Sequence, residues 1–171
     1  FKRSSIGSFQ YALVLVDDHS RYKSVQFLRN KSEALKRTRT FVADLTAHVN
    51  RGKAVPNKVV GSLHSDNAGE FLSREFKEFL DSELIKHTTC PPYVHSLNGV
   101  AERAIRSIVE NARAHMVASN CPIGFWPFAF EHAVDVLNRS TGPPESHQSS
   151  HEIIEGIKPK LLSIQPFGCR A

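Results

Sequence analysis

Residues 9–16, Phe-Gln-Tyr-Ala-Leu-Val-Leu-Val, are apolar and β-prone, and the change of periodicity that follows them restricts the fold more than any other feature. The run reads as a buried strand. A polar turn, Asp17-Asp18-His19-Ser20-Arg21, leads to a second strand over 22–28, which makes a hairpin. From Ser32 and Glu33 to about Asn50 the apolar positions Leu35, Phe41, Val42, Leu45 and Val49 share one face of a helix. A loop over 51–57 precedes a short strand over 58–64. A helix over 70–80 carries Phe71, Phe76, Phe79 and Leu80, and another short strand spans 84–89. The two prolines in Pro91-Pro92-Tyr93-Val94-His95-Ser96-Leu97 forbid regular helix there. Asn98 caps a helix to about Ala118, with Ala101, Ile105, Ile108 and Ala112 as its core stripe. Further helices cover 125–139 and 150–155, a polar loop covers 141–148, and 163–171 forms a strand or packs as an extended segment. Strand, strand, helix, strand, helix, strand, then helices is an α/β pattern, compatible with a mixed sheet flanked by helices.

At 171 residues the chain is expected to be one domain over 1–171 with a proper core. Lys and Arg outnumber Asp and Glu by 22 to 17, a net charge of +5, which fits a polyanionic partner without demanding one. Cys90, Cys121 and Cys169 are widely spaced and odd in number, so a disulfide framework is not expected and a reducing compartment is. No His/Cys cluster has the spacing of a structural zinc site. No apolar run approaches the roughly 20 residues of a membrane helix. The chain opens at Phe1-Lys2-Arg3 without Met and without a secretory signal, and it reads as a piece of something longer.

Two acids stand out. Asp66 ends a short apolar strand, in Leu63-His64-Ser65-Asp66-Asn67-Ala68-Gly69-Glu70-Phe71. Glu102 lies one turn into a helix, in Asn98-Gly99-Val100-Ala101-Glu102-Arg103, with 35 residues between the two. A carboxylate at a strand end and another on a helix can share Mg²⁺, which prefers hard oxygen ligands and keeps positions open for phosphate. Two such ions activate a nucleophile and stabilise a leaving oxygen in phosphoryl transfer. The plainer readings are a turn Asp and a first-turn Glu favoured by the helix dipole. Arg106 and Arg113 fall on nearly the same helical face as Glu102, where they can meet phosphates, or pair with Glu102 at the surface. Arg103 points about 100° away. Asn98 is a cap and a candidate DNA contact. His64 is a strand residue whose ring is more simply satisfied by hydrogen bonds than used in function. Trp126, with Phe125, Phe128 and Phe130, reads as packing rather than base stacking. Lys31, Lys36, Arg37 and Arg39 form a basic helix face.

The runs at 63–71 and 98–103 together resemble the core domain of a retroelement integrase, with its D,D-35-E signature. Details resemble the copia type of LTR retrotransposon. They are Asp17-Asp18-His19-Ser20-Arg21 in the hairpin, Phe125-Trp126-Pro127-Phe128-Ala129 with Leu137-Asn138-Arg139-Ser140, and Phe167-Gly168-Cys169-Arg170-Ala171. These landmarks run in family order over the whole chain. The resemblance implies an RNase H-like fold, a five-stranded mixed sheet flanked by helices. It implies DNA strand transfer dependent on Mg²⁺ or Mn²⁺, with Asp66 and Glu102 as catalytic metal ligands. It implies element-end and host target DNA as partners, a homo-oligomer, synthesis within a polyprotein in the cytoplasm and action in the nucleus.

The family's first Asp belongs to a central strand before the hairpin. It is expected upstream of Phe1, so this segment alone is expected to lack that strand, to be inactive and to be poorly stable. Asp17 is the tempting substitute. Two departures remain: Ala68, where relatives have Gly and where a positive φ would cost Ala about 1 kcal/mol, and Ala104-Ile105 in place of Lys-Asn, which removes a basic DNA contact. The upstream acid and Ala68 motivate the alternative, a catalytically dead remnant that only binds DNA. An RNase H-type nuclease fits less well, since the landmarks at 98–103 and in the C-terminal part do not belong to that group.

Overall fold

A computed structural model describes residues 5–51, 57–90 and 98–169, which divide into two compact units, one over 1–30 and 101–171 and the other over 31–100. The loop expected at 91–97, most of the one at 51–57 and the last two residues of the C-terminal landmark lie outside the described residues.

In the first unit, β1 (Tyr11–Val16) pairs antiparallel with β2 (Lys23–Leu28), in register from Tyr11 against Leu28 to Val16 against Lys23. The hairpin turn is built by Asp17. Its Oδ2 accepts the Ser20 N–H at 2.8 Å and the Ser20 hydroxyl at 2.6 Å, and Ser20 is fully buried. Arg21 takes a left-handed φ of 59° and pairs with Asp18 at 2.5 Å. Asp17 is therefore a turn-making residue.

The unit's helices are α4 (Gly99–Ala118), whose segment from Ala101 on belongs here, α5 (Trp126–Ser140) and α6 (Ser150–Glu155). The core gathers Phe27, Ile108, Ala112, Trp126, Ala129, Phe130, Ala133, Val134 and Leu137. Trp126 stands edge-on to Phe27 and Phe130, as packing predicts, whereas Phe125 and Phe128 are exposed. The buried stripe of α4 is Ala104, Ile108 and Ala112, four residues apart; Ile105, expected in the stripe, is 44% exposed. The i, i+4 row through Ile108 runs through Ala104, and the next position is turned about 100° outward.

Asn138 of α5 is buried and clasps β2. Its Oδ1 accepts the Lys23 N–H at 2.9 Å and its Nδ2 donates to the Lys23 carbonyl at 2.7 Å, as a neighbouring strand would. Burial, helped by the Arg21 charge, lowers the pKa of the Lys23 ammonium.

α4 ends in a Schellman pattern, with Cys121 N–H bonded to Met116 O and Asn120 in the left-handed region. The described part of the segment that follows α6 forms no strand. A short 3₁₀ turn at Leu161–Ser163 leads to Phe167, which packs on the core, and to Gly168 at φ +79°, where a Cβ would lie 2.6 Å from Ser119 Cβ. His132 Nε2 is 2.8 Å from Gln165 O and donates to it. His132 Nδ1, 3.2 Å from His115 Nδ1, is then the acceptor and His115 the donor. Burial, with His132 adding to it, holds His115 below the usual imidazole range.

In the second unit, α1 (Ala34–Val49), preceded by a 3₁₀ turn at Lys31–Glu33, buries Ala34, Thr38, Val42 and Leu45 along one face. β3 (Ser62–Ser65) pairs parallel with β4 (Lys86–Thr89). The helix expected over 70–80 is two helices, α2 (Gly69–Leu72) and α3 (Arg74–Ser82). Ser73 is extended (φ −61°, ψ 152°) and caps α3 by accepting the Phe76 N–H. Phe76, Phe79 and Leu80 of α3 meet Val42 and Ile85 in the core, with Leu35, Phe41, Val60, Leu63 and Phe71 against it.

The two strands are shorter than expected. β3 begins at Ser62 rather than 58, because its partner offers only Lys86–Thr89. β4 begins at Lys86 rather than 84, because Leu84 belongs to the end of α3. Ile85 N–H bonds Leu80 O and Leu84 N–H bonds Asp81 O, the Schellman pair, with Leu84 at φ 55° and 78% exposed. A leucine there has its Cβ against the following carbonyl and gains nothing from packing. Leu84→Gly is expected to raise unfolding stability by about 0.5–1 kcal/mol, read from denaturant midpoints; a loss of stability would contradict the left-handed cap.

Candidate active site

Asp66 follows β3 directly and is exposed. The parallel ladder continues one step past β4, since Cys90 N–H donates to Ser65 O at 3.1 Å. Side chains alternate across this pair of strands. On one face the ring of His64 meets Thr88 Oγ1 at 2.9 Å and Cys90 Sγ at 3.1 Å, so both its nitrogens are in contact, as the plainer reading expects. On the other face the buried Ser65 hydroxyl lies 3.0 Å from His87 Nε2 and donates to Asp66 O at 2.9 Å. Burial first, then the charges of Lys77 and His64, lower the pKa of His87.

The turn after Asp66 is closed by two side chains. Asn67 Nδ2 donates to Cys90 O at 2.7 Å, tying the turn to the end of β4. Asp66 Oδ1 accepts the Ala68 N–H at 3.1 Å, an Asx turn. Asp66 is thus a turn residue and still keeps its second carboxylate oxygen without a contact among the described residues. Nothing in the sequence marks the Asn67 amide as reaching Cys90; that contact is a product of the strand pairing.

Ala68 is extended, with φ −64° and ψ 140°, and serves as the N-cap position of α2. The expected strain at this position is absent, because the turn is made by the Asp66 side chain and by no left-handed residue. One motive for the remnant reading goes with it.

Glu102 lies in the first turn of α4, exposed, where the positive helix end favours a carboxylate. Among the described residues no ion pair joins it to Arg106, and Arg106 and Arg113 are exposed and outside every ion pair. Arg103 is exposed as well. Asn98 precedes the first residue of α4. Of the pair Ala104-Ile105, only Ile105 is exposed, so a basic residue would reach solvent directly only from position 105. On the basic face of α1, Arg39 lies over the Phe79 ring at 4.9 Å. It lines an open groove of about 640 Å³ with Val42, Ala47, Phe79 and Glu83, and none of Asp66, Glu102, Arg106 and Arg113 lines it.

Among the described residues no three His, Cys, Asp or Glu side chains gather into a metal cluster. Asp66 and Glu102 do offer what a hard cation takes: exposed carboxylates that, among the described residues, each keep an oxygen outside any hydrogen bond or ion pair. Asp17 Oδ2 is doubly bonded by Ser20 within its turn.

Residues 1–95, which include Asp66, match the integrase core domain family, and the chain belongs to that family. Its relatives include Pol polyproteins of copia-type plant transposons. It is 32% identical over 165 residues to the retrovirus-related Pol polyprotein from transposon RE2 of Arabidopsis thaliana, 96% of this chain and 11% of that protein. It is 32% identical over 167 residues to that from transposon TNT 1-94 of Nicotiana tabacum, 98% of this chain and 12% of that protein. The chain thus spans about a tenth of the length of these relatives. Two solved structures share its fold, a mixed α/β integrase core. The simian T-cell lymphotropic virus intasome in complex with PP2A regulatory subunit B56 gamma matches with a TM-score of 0.65 at 22% identity, over 89% of this chain and 50% of that one. The HTLV-2 integrase catalytic core domain in complex with magnesium, in a trimeric form, matches with a TM-score of 0.61 at 23% identity, over 88% of each chain.

The φ of Ala68 yields a direct check. Ala68→Gly is expected to lower stability by about 0.4–1 kcal/mol, because it only adds freedom to the unfolded chain. A gain in thermal or denaturant midpoint would mean that the turn favours the left-handed region after all.

Proposed function

We propose that this chain is the catalytic core of a retroelement integrase that joins element DNA ends to a target strand. Asp66 and Glu102 together hold Mg²⁺ or Mn²⁺ in this reading. The observation that carries it is the membership of the integrase core family, joined to the fact that both carboxylates are exposed and retain uncommitted oxygens. A five-stranded RNase H-like sheet is part of the same proposal.

In strand transfer the 3′-hydroxyl oxygen of the element end bonds to a target phosphorus. The bond to the target strand's own 3′-oxygen breaks, and the hydroxyl proton passes to solvent. The metal, when bound, activates the attacking oxygen and neutralises charge that builds on the phosphate. The carboxylates of Asp66 and Glu102 bind and fix it. Arg106 and Arg113, exposed and outside every ion pair among the described residues, and Asn98 at the start of the same helix contact DNA phosphates beside the reacting bond. The partners are element-end DNA and host target DNA, the working species is a homo-oligomer, and the reaction takes place in the nucleus.

The test is metal-dependent joining of an oligonucleotide end by the intact integrase. Asp66→Asn and Glu102→Gln are each expected to lower the joining rate by about 10²–10³-fold with DNA affinity retained. Undiminished joining by either variant would overturn its role. DNA binding by the unmodified protein without joining would favour the remnant.

A further inference from the structure

The contacts beneath Asp66 form a chain that starts in the core. The ring of His87 packs 6.0 Å from Phe76, which is fully buried. His87 Nε2 lies 3.0 Å from Ser65 Oγ, and Ser65 Oγ lies 2.9 Å from the carbonyl oxygen of Asp66. The proton directions follow from the atoms. A carbonyl oxygen only accepts, and a serine hydroxyl has a single proton to give. The Ser65 proton therefore goes to Asp66 O, and His87 Nε2 is the donor to Ser65. Burial and the neighbouring charges of Lys77 and His64 favour the neutral ring, whose one proton then sits on Nε2.

We propose that His87 is a positioning residue for Asp66: through Ser65 it fixes the peptide carbonyl of Asp66 and so the direction in which the carboxylate leaves the end of β3. This rests on the reading of Asp66 as a metal ligand. Three bonds then hold one acid: Ser65 on its carbonyl, Ala68 N–H on its carboxylate, and Asn67 tying the turn to Cys90. Only the first traces back to a side chain anchored in the core. Groups that orient a ligand from behind are worth about 10–100-fold in metal affinity, and His87 acts one residue further removed, so the lower end applies.

Two readouts in the intact integrase test this: Mn²⁺ binding followed by the electron paramagnetic resonance of the free ion, and the Mg²⁺ concentration for half-maximal joining. His87→Ala and Ser65→Ala are each expected to weaken Mn²⁺ binding and raise the Mg²⁺ half-point by about tenfold. His87→Gln, whose amide N–H can replace the imidazole donor, is expected to stay within about twofold of the unmodified protein. The double variant of His87 and Ser65 is expected to cost no more than either single one, since both break the same chain. Nitrogen NMR of the His87 ring is expected to show the Nε2–H form. An unchanged metal requirement in His87→Ala and Ser65→Ala, or failure of His87→Gln to restore it, would overturn the proposal. So would a proton on Nδ1. A purely structural role would lower the maximal rate and the melting temperature at an unchanged half-point. Asp66→Asn, assayed in parallel, separates the two layers: if it binds Mn²⁺ and joins DNA like the unmodified protein, the ligand assignment itself fails, and with it the basis for His87.

Discussion

The parallel pairing of β3 with β4 governs the position of Asp66, the acid that directly follows β3. Ser62–Ser65 lies against Lys86–Thr89, and one further bond from Cys90 N–H closes the ladder beside Ser65. The alternation of side chains in that pair sends His64 to Thr88 and Cys90 on one face and Ser65 to His87 on the other. A slip of one residue would exchange the two faces, turn Ser65 away from His87 and cut the Asn67–Cys90 tie. The register is held by core residues, Leu63 on one strand and Ile85 just before the other, with Phe76, Phe79 and Leu80. Asp66 therefore takes its place from apolar packing, and one oxygen of its side chain closes the turn on the Ala68 N–H.

The first unit shows a comparable division of labour. The landmarks read from the sequence as family marks turn out to be structural. Asp17 and Ser20 close the hairpin, Asn138 clasps the backbone of Lys23, and Gly168 passes close over Ser119 in a left-handed conformation. This leaves α4 free to display Glu102, Arg106 and Arg113 while Ala104, Ile108 and Ala112 face inward. The exposed faces of this helix carry three arginines, Arg103, Arg106 and Arg113, and two carboxylates, Glu102 and Glu110.

Element type and order were legible in the sequence because apolar periodicity decides them. The hairpin, the 150–155 helix and the α/β order are found as expected. What the pattern could not show were places where a backbone turn overrides it. Ser73 sits within an apolar-periodic run and still breaks it, because its hydroxyl caps α3. Leu84 looks like the start of a strand and is instead a left-handed helix end. Ile105 fits a helical stripe by spacing, but the buried row is set by Ile108 and passes through Ala104. At the candidate site, motif and spacing single out Asp66 and Glu102, and both are exposed in the structure. The links from His87 to Ser65 and from Asn67 to Cys90 were not legible, since they join residues more than twenty positions apart and exist only once the strands pair.

The proposed function requires Asp66 and Glu102 to ligate the same divalent ions. It is tested most directly by crystallising the intact integrase with Mn²⁺ and locating the metal by anomalous scattering. A peak is expected within about 2.0–2.3 Å of carboxylate oxygens from both residues. Manganese bound without either carboxylate would contradict it.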